Sequence, residues 1–557
     1  MSASDKKKLR KEERVAAMTE KQQKAQKEAK KLKSMTITFV AILAVVVVAF
    51  GWLLVDSYLK VNGVMEKKTI VATIDGTDLN TVEFSYYYSD AINDYYQEFY
   101  NQYGTSTDLL MLYYAGLDVS LPLDEQTNPE TGKSWADYFV DLALSNAKSD
   151  YALYNKAIAD GFDPNCEEVN SMVETEASYL MLNGYYAGSI DAYLRAAYCN
   201  GATEEGYLDY IRRNAVAYTY YNQHMDSLTY TDPEVEEFTK DRYSEFSAFS
   251  YNYYTIDYTD YLKSEEGTKD EATGVVTYTP EQYAAAREAA RVDAELLAQC
   301  NSVEALNLAI ASLSFNKDKE TPETSTASTD VLYSYLLEDY AKWLADAERK
   351  QYDVKAFPVE NTTTDADGKE VTTVDSYNVV MYLSTNNNEK KHGNVRHILV
   401  AFEQSLDESG NYTVTDDAKK AAKEEAEAIY TQWKEGEATK ESFIALAKEK
   451  SEDTNVSENE GLYKDIHPSS TELQTEFRDW AVDPARVEGE HALISTSDGY
   501  HIVYFEGYSD ETYRDYLVNT TMVNEDMEEW YKGIIDASVA TLKDDSRLKK
   551  DTVISAS

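Results

Sequence analysis

Two short apolar runs, each with a histidine inside it, lie far apart in this chain: Arg396-His397-Ile398-Leu399-Val400 and Tyr500-His501-Ile502-Val503. β-Branched neighbours make both runs strands. An imidazole inside such a strand faces a core or a pocket floor, where its ring nitrogens need partners. A single case reads as a hydrogen-bonded core residue. Two of the chain's six histidines in matching settings say more, because the sequence between them carries three helical patterns. The expected order is a strand over 395–402, helices over 415–435, 441–449 and 470–481, and strands over 492–496 and 500–505. Ala418, Ala422, Ile429 and Trp433 fall on one face of the first helix, and Leu473, Phe477 and Trp480 on one face of the third. The implied class is α+β, a small antiparallel sheet with surrounding helices.

At 557 residues the chain is too long for one core, so several domains are expected. Its charge is uneven. Residues 1–34 hold twelve Lys/Arg against five acids, although the whole chain has a net charge of −47. The strongly acidic remainder excludes nucleic acid as a partner, since a phosphate backbone needs a cationic face. Residues 35–55 form an apolar run of the length that a bilayer core requires, with no small-residue cleavage site before Asp56. It is expected to be a single transmembrane helix. The cationic leader would then lie in the cytoplasm and the body outside the cell membrane, at a Gram-positive-type bacterial surface. Cys166, Cys199 and Cys300 have neither CxxC nor metal-ligand spacing and read as free thiols, although Cys166 with Cys199 is a conceivable pair.

After a linker at 56–68, residues 69–231 open with a strand (69–74), the turn pair Asp75-Gly76 and a helix after the cap candidates Asn80 and Thr81. The helical region that follows is rich in paired tyrosines, among them Tyr86-Tyr87-Tyr88, Tyr113-Tyr114, Tyr185-Tyr186 and Tyr220-Tyr221. Such side chains suit either helix packing or transient contact with unfolded chains. Residues 232–388 form another unit, with a polar threonine-rich loop at 320–329 and a hairpin through 365–369. Its end echoes the later domain: Trp343 to Arg349 resembles Trp480 to Arg486, and Tyr377 to Tyr382 resembles Tyr500 to Phe505. A tandem duplication follows, with Asn378 standing where the later unit has His501. Residues 386–394 read as the linker, 393–508 as the last domain, and 509–557 as a tail with a helix at about 525–543.

The residues of that last domain, taken in order, are His397-Ile-Leu-Val, Leu446-Ala with Ser451-Glu-Asp453, Glu460-Gly461-Leu462, Leu473-Gln474 with Phe477, and Thr496 with Gly499-Tyr-His501-Ile. This series resembles the parvulin peptidyl-prolyl isomerases. The resemblance implies that His397, Asp453 and His501 are catalytic and that Leu462, Leu473, Gln474, Phe477 and Thr496 bind substrate. It implies no cofactor and no metal, with proline-containing unfolded or partly folded polypeptides as partners. The layout of membrane attachment, helical region (69–231), parvulin-like unit without histidines (232–388), isomerase domain (393–508) and C-terminal helix resembles PrsA-like and SurA-like extracytoplasmic foldases. The alternative is an inactive holdase or secretion scaffold that keeps the fold for peptide binding. Two departures stand out. Glu460 takes the place of a glycine that the family commonly has, and the loop after the first strand offers Glu403, Asp407 and Glu408, which disfavours acidic residues before proline. A metal centre from His397, His501 and Asp453 lacks a carboxylate-rich surround, and a hydrolase lacks a nucleophile elbow.

Overall fold

The computed structural model describes residues 3–103, 112, 115–270, 273–364, 368–406 and 412–552. They divide into two units, Met1–Leu228 with Asp526–Ser557, and Thr229–Glu525.

In the first unit the leader and the apolar run share one 59-residue helix, Ala3–Val61. Among the described residues no helix is long and apolar enough to cross a membrane. The expected transmembrane helix at 35–55 is thereby corrected, and the membrane association with it. The apolar run is not a separate element: it continues without a cap from the lysine-rich leader and leads into the Asp56–Lys60 ion pair of the same helix. Beyond it, strand Ile70–Ile74 is central in a three-stranded antiparallel sheet, with Thr77–Asn80 on one side and the tail strand Ala540–Leu542 on the other. Asp75 and Gly76 both have positive φ, as a tight two-residue hairpin turn requires. Asn80 caps helix Thr81–Tyr103 by accepting from the Val82 amide, and Glu83 reaches back to the Asn80 amide. The tyrosines split by position. Tyr86, Tyr87 and Tyr88 are core residues, with the Tyr86 ring against Tyr198, Tyr207 and Tyr210, whereas Tyr185 and Tyr186 are 81% and 79% exposed. Tyr113 and Tyr114 lie outside the described residues. The three cysteines are free thiols.

The second unit holds two four-stranded antiparallel sheets. The first comprises β1 (Ala248–Asp257), β2 (Thr326–Leu332), β3 (Val354–Thr364) and β4 (Glu370–Asn386), in the order β2-β1-β4-β3. The second comprises β5 (Lys391–Ala401), β6 (Leu462–Ile466), β7 (His491–Ser495) and β8 (Gly499–Thr512), in the order β6-β5-β8-β7. Each strand of the second sheet therefore has a counterpart four places earlier in the first. Helices match as well: α1 (Pro280–Leu297), α2 (Val303–Ala311) and α3 (Glu338–Leu344) precede the hairpin of the first sheet, as α4 (Asp416–Glu435), α5 (Lys440–Lys450) and α6 (Thr475–Ala481) precede that of the second. A corner repeats atom for atom. Arg349 Nε donates to the Trp343 carbonyl at 3.0 Å with its guanidinium 4.2 Å from the indole centroid. Arg486 does the same to Trp480, at 3.0 and 4.4 Å. The two sheets share one strand order, which is what the duplication read from the sequence requires.

Several expected boundaries are corrected. The threonine-rich stretch at 320–329 is not all loop, because β-branched residues carry β2 from Thr326. Most of the supposed linker at 386–394 is strand: β5 starts at Lys391, and His392 is 1% exposed, ringed by His467, Tyr513 and Tyr516. The tail helix α7 is Tyr513–Ala537, not 525–543, because Thr512 and Asp515 exchange capping bonds there. The loop tip 365–367 falls outside the described residues.

Candidate functional site

Central strands β5 and β8 run antiparallel, with His397 opposite Val503 and His501 opposite Leu399. That register sets the two histidines diagonally on one face of the sheet. Their rings stack with an interplanar angle of 13°, and their Nδ1 atoms are 2.9 Å apart. His397 Nε2 lies 2.8 Å from Asp453 Oδ2, and His501 Nε2 lies 3.0 Å from Thr496 Oγ1. All four side chains are buried.

The proton positions follow from Asp453. Its carboxyl is held down at about 2, chiefly by the His397 hydrogen bond, so it is anionic and can only accept. His397 Nε2 must therefore carry the donated hydrogen. In neutral His397 this leaves Nδ1 as acceptor, and His501 must donate from its own Nδ1. His501 Nε2 then accepts, and the Thr496 hydroxyl supplies the hydrogen. The relay is directional: Thr496 to His501 to His397 to Asp453. Burial lowers His501 to about 4, with a smaller push from His397, so the His501 ring is neutral above that pH.

Asp453 is placed by the turn after α5. Ser451 Oγ accepts from the Leu399 amide, the Glu452 amide donates to the Leu399 carbonyl, and Glu452 Oε2 accepts from the Ala401 amide. The Ser-Glu-Asp sequence thus docks along the outer half of β5, and the third residue meets His397. Ser451 and Glu452 were not singled out as functional from the sequence, though their adjacency to Asp453 was the available signal. Gly461 closes the neighbouring corner. Its φ is +74° and its carbonyl accepts from the His397 amide, while a Cβ there would sit 2.6 Å from the His397 carbonyl oxygen. Glu460 adopts the left-handed conformation at φ 56°, a region that favours glycine. Its carboxylate pairs with Lys448, and its carbonyl accepts from Arg396.

Of the expected substrate-binding residues, Phe477 and Leu473 join the histidine face. Phe477 is 2% exposed, with its ring 5.3 Å from His397 and 5.4 Å from His501. Leu473 is half-buried in the same cluster. Gln474 is tied to the Thr496 loop, donating to Asp498 and accepting from Ser497. Leu462 is different. It lies opposite Arg396, whereas Tyr463 lies opposite Val395, and Val395 shares the core cluster of Phe477. Strand alternation therefore gives the histidine face to Tyr463. Its ring stands edge-on to His397 at 5.0 Å, and the sequence reading did not name this residue. Every ring nitrogen of the histidine pair is engaged, which leaves no convergent lone pairs for a metal ion. Glu403 is exposed, and Asp407 and Glu408 lie outside the described residues.

The family description "Rotamase: PPIC-type PPIASE domain" matches residues 397–507, which begin at the first histidine of the relay and end just past the second. The chain carries a parvulin-type peptidyl-prolyl isomerase domain. Solved structures similar to the chain are PrsA peptidylprolyl isomerases of Bacillus anthracis, Bacillus cereus and Bacillus subtilis, each at 21% identity, with TM-scores of 0.17, 0.18 and 0.17. The matches cover 27%, 30% and 29% of this chain. They span 59%, 56% and 55% of those chains, less than two thirds of their lengths. No curated protein matches. The isomerase domain is one fold copy of two. At the places of His397 and His501 the first copy has Tyr253 and Asn378, the latter accepting from Thr255 Oγ1 at 2.8 Å.

Proposed function

We propose that the chain is a foldase that rotates X-Pro bonds of unfolded or partly folded polypeptides, with His397, Asp453 and His501 as its catalytic groups. The observation that carries this is the ordered relay from Thr496 to Asp453 beneath the face of Phe477, Leu473 and Tyr463. Rotation breaks no bond; it must lower a barrier of ~18 to 20 kcal/mol set by amide resonance. Two things do that. An apolar slot takes the proline ring, a role that suits Leu473 and Phe477. A fixed anion beside the peptide carbonyl opposes the partial negative charge on the planar amide's oxygen and so favours the twisted form. Asp453 supplies the charge, and the histidines hold it in one orientation. A ten-thousandfold acceleration needs ~5.5 kcal/mol from these groups.

Action outside the cytoplasm is part of the proposal, carried from the resemblance to the extracytoplasmic foldases. Protease access to the body in intact cells tests that part. Turnover of X-Pro peptides by wild type, His397→Ala and Asp453→Ala tests the catalytic part. Wild type should accelerate isomerisation and both variants should lose most of it, with glutamate the poorest residue before proline. A wild type no faster than the uncatalysed reaction, yet able to suppress aggregation of an unfolded protein, favours the holdase instead.

A further inference from the structure

Tyr463 touches both halves of the site, and neither the sequence motifs nor the family match gives it a role. It sits on β6, a five-residue edge strand, directly opposite Val395. Its hydroxyl lies 3.1 Å from Asp453 Oδ2, the oxygen that His397 Nε2 also reaches at 2.8 Å. A carboxylate anion only accepts, so the tyrosine donates. The Asn455 amide donates to Oδ1 at 3.0 Å. Three donors thus hold the carboxylate, and the ring of Tyr463 also reaches the apolar side, edge-on to His397 and 6.1 Å from Phe477. Without the hydroxyl, Oδ2 would answer to His397 alone.

We propose that Tyr463 is a positioning residue for the isomerisation: its hydroxyl fixes the Asp453 carboxylate while its ring forms one wall of the proline slot. The proposal rests on the catalytic reading above. It separates two properties of a single side chain. The hydroxyl governs how well the charge is aimed, hence kcat, and the ring governs how well proline is held, hence KM. It also fixes a direction for the charge itself, because a lost donor makes the anion less favourable and raises the Asp453 carboxyl.

The experiment uses the full chain and compares wild type, Tyr463→Phe and Tyr463→Leu on an X-Pro peptide across pH, with the Asp453 carboxyl followed by carbon NMR in the same samples. Tyr463→Phe should keep KM within about twofold, lower kcat roughly tenfold as expected for losing one bond to a charged group, and move the Asp453 titration to higher pH. Tyr463→Leu should show the same titration change and raise KM as well. A tyrosine with a merely structural role would lower the melting temperature and leave both the titration and kcat unchanged; that result overturns the proposal. An unshifted Tyr463→Phe in an active wild type refutes this inference alone, while a wild type with no acceleration removes the catalytic reading together with it.

Discussion

Lowering the pH should loosen the isomerase domain through His501 before any carboxylate of the relay is protonated. An ordinary histidine titrates at 6.5, and burial takes His501 to about 4. The folded state therefore refuses a proton that the unfolded state accepts. The stability that His501 contributes as a neutral ring is full above 6.5 and is lost as the pH falls toward 4. At 1.36 kcal/mol per pH interval, the loss over that window is about 3 kcal/mol. Asp453 acts later: depressed from 3.8 to about 2, it contributes ~2 kcal/mol that disappears only as the pH falls through that lower range. The assay is amide hydrogen exchange of β5 and β8 in the full chain, corrected for intrinsic rates, from pH 7 to pH 4. The control comes from the chain itself, because the first sheet holds Asn378 at the corresponding place. His501→Asn should lower the opening free energy at pH 7 and flatten its dependence between 6.5 and 4. A wild-type opening free energy that stays level over that window, or a His501→Asn variant with the wild-type slope, refutes the argument.

Three further outcomes follow from the same contacts. Gly461→Ala should destabilise the domain by at least ~1 kcal/mol, since it forces an alanine into the left-handed region and drives its Cβ onto the His397 carbonyl; a urea midpoint unchanged from wild type would contradict this. Glu506→Ala should cost about 3 kcal/mol by leaving the buried Arg396 without its carboxylate, and Arg396→Met with Glu506→Leu should recover most of it in thermal melts. Thr496→Val should cost ~1 to 3 kcal/mol and lower turnover, because His501 Nε2 loses its donor, while Thr496→Ser retains both properties in the same two assays.

The helices and central strands of the isomerase domain were legible because their apolar periodicity matches what they bury: Ala422, Ile429 and Trp433 of α4 and Phe477 of α6 are core residues. Two of the edge strands, β6 and β2, were not legible. β6 is only Leu-Tyr-Lys-Asp-Ile, and β2 is written mostly in threonine, serine and alanine, so neither gives a clear two-residue alternation. Missing β6 also left Tyr463 unnamed, for Leu462 and Tyr463 lie on opposite faces of the sheet, and in a strand one residue exchanges the two faces. The apolar run at 35–55 shows the opposite difficulty. Its composition suggested an independent element, but one helix runs through it from the charged leader without interruption.

What separates structural from chemical demand is the presence of both copies in one chain. The strand order, the antiparallel pairing and the arginine-tryptophan corner recur in each, so none of them requires a histidine. At the two matched places the first copy has Tyr253, at the sheet's partly exposed face, and Asn378, satisfied by Thr255. The fold therefore tolerates ordinary residues where the second copy spends burial energy on an imidazole that burial disfavours in its charged form. A buried pair of this kind persists only if each nitrogen is satisfied, and here satisfaction reaches from Thr496 through both rings to a carboxylate anchored by Ser451 and Glu452. The cost falls on the residues that aim one negative charge at one face of the sheet, which is what rotation about a resonant amide needs and what a peptide-binding platform alone does not.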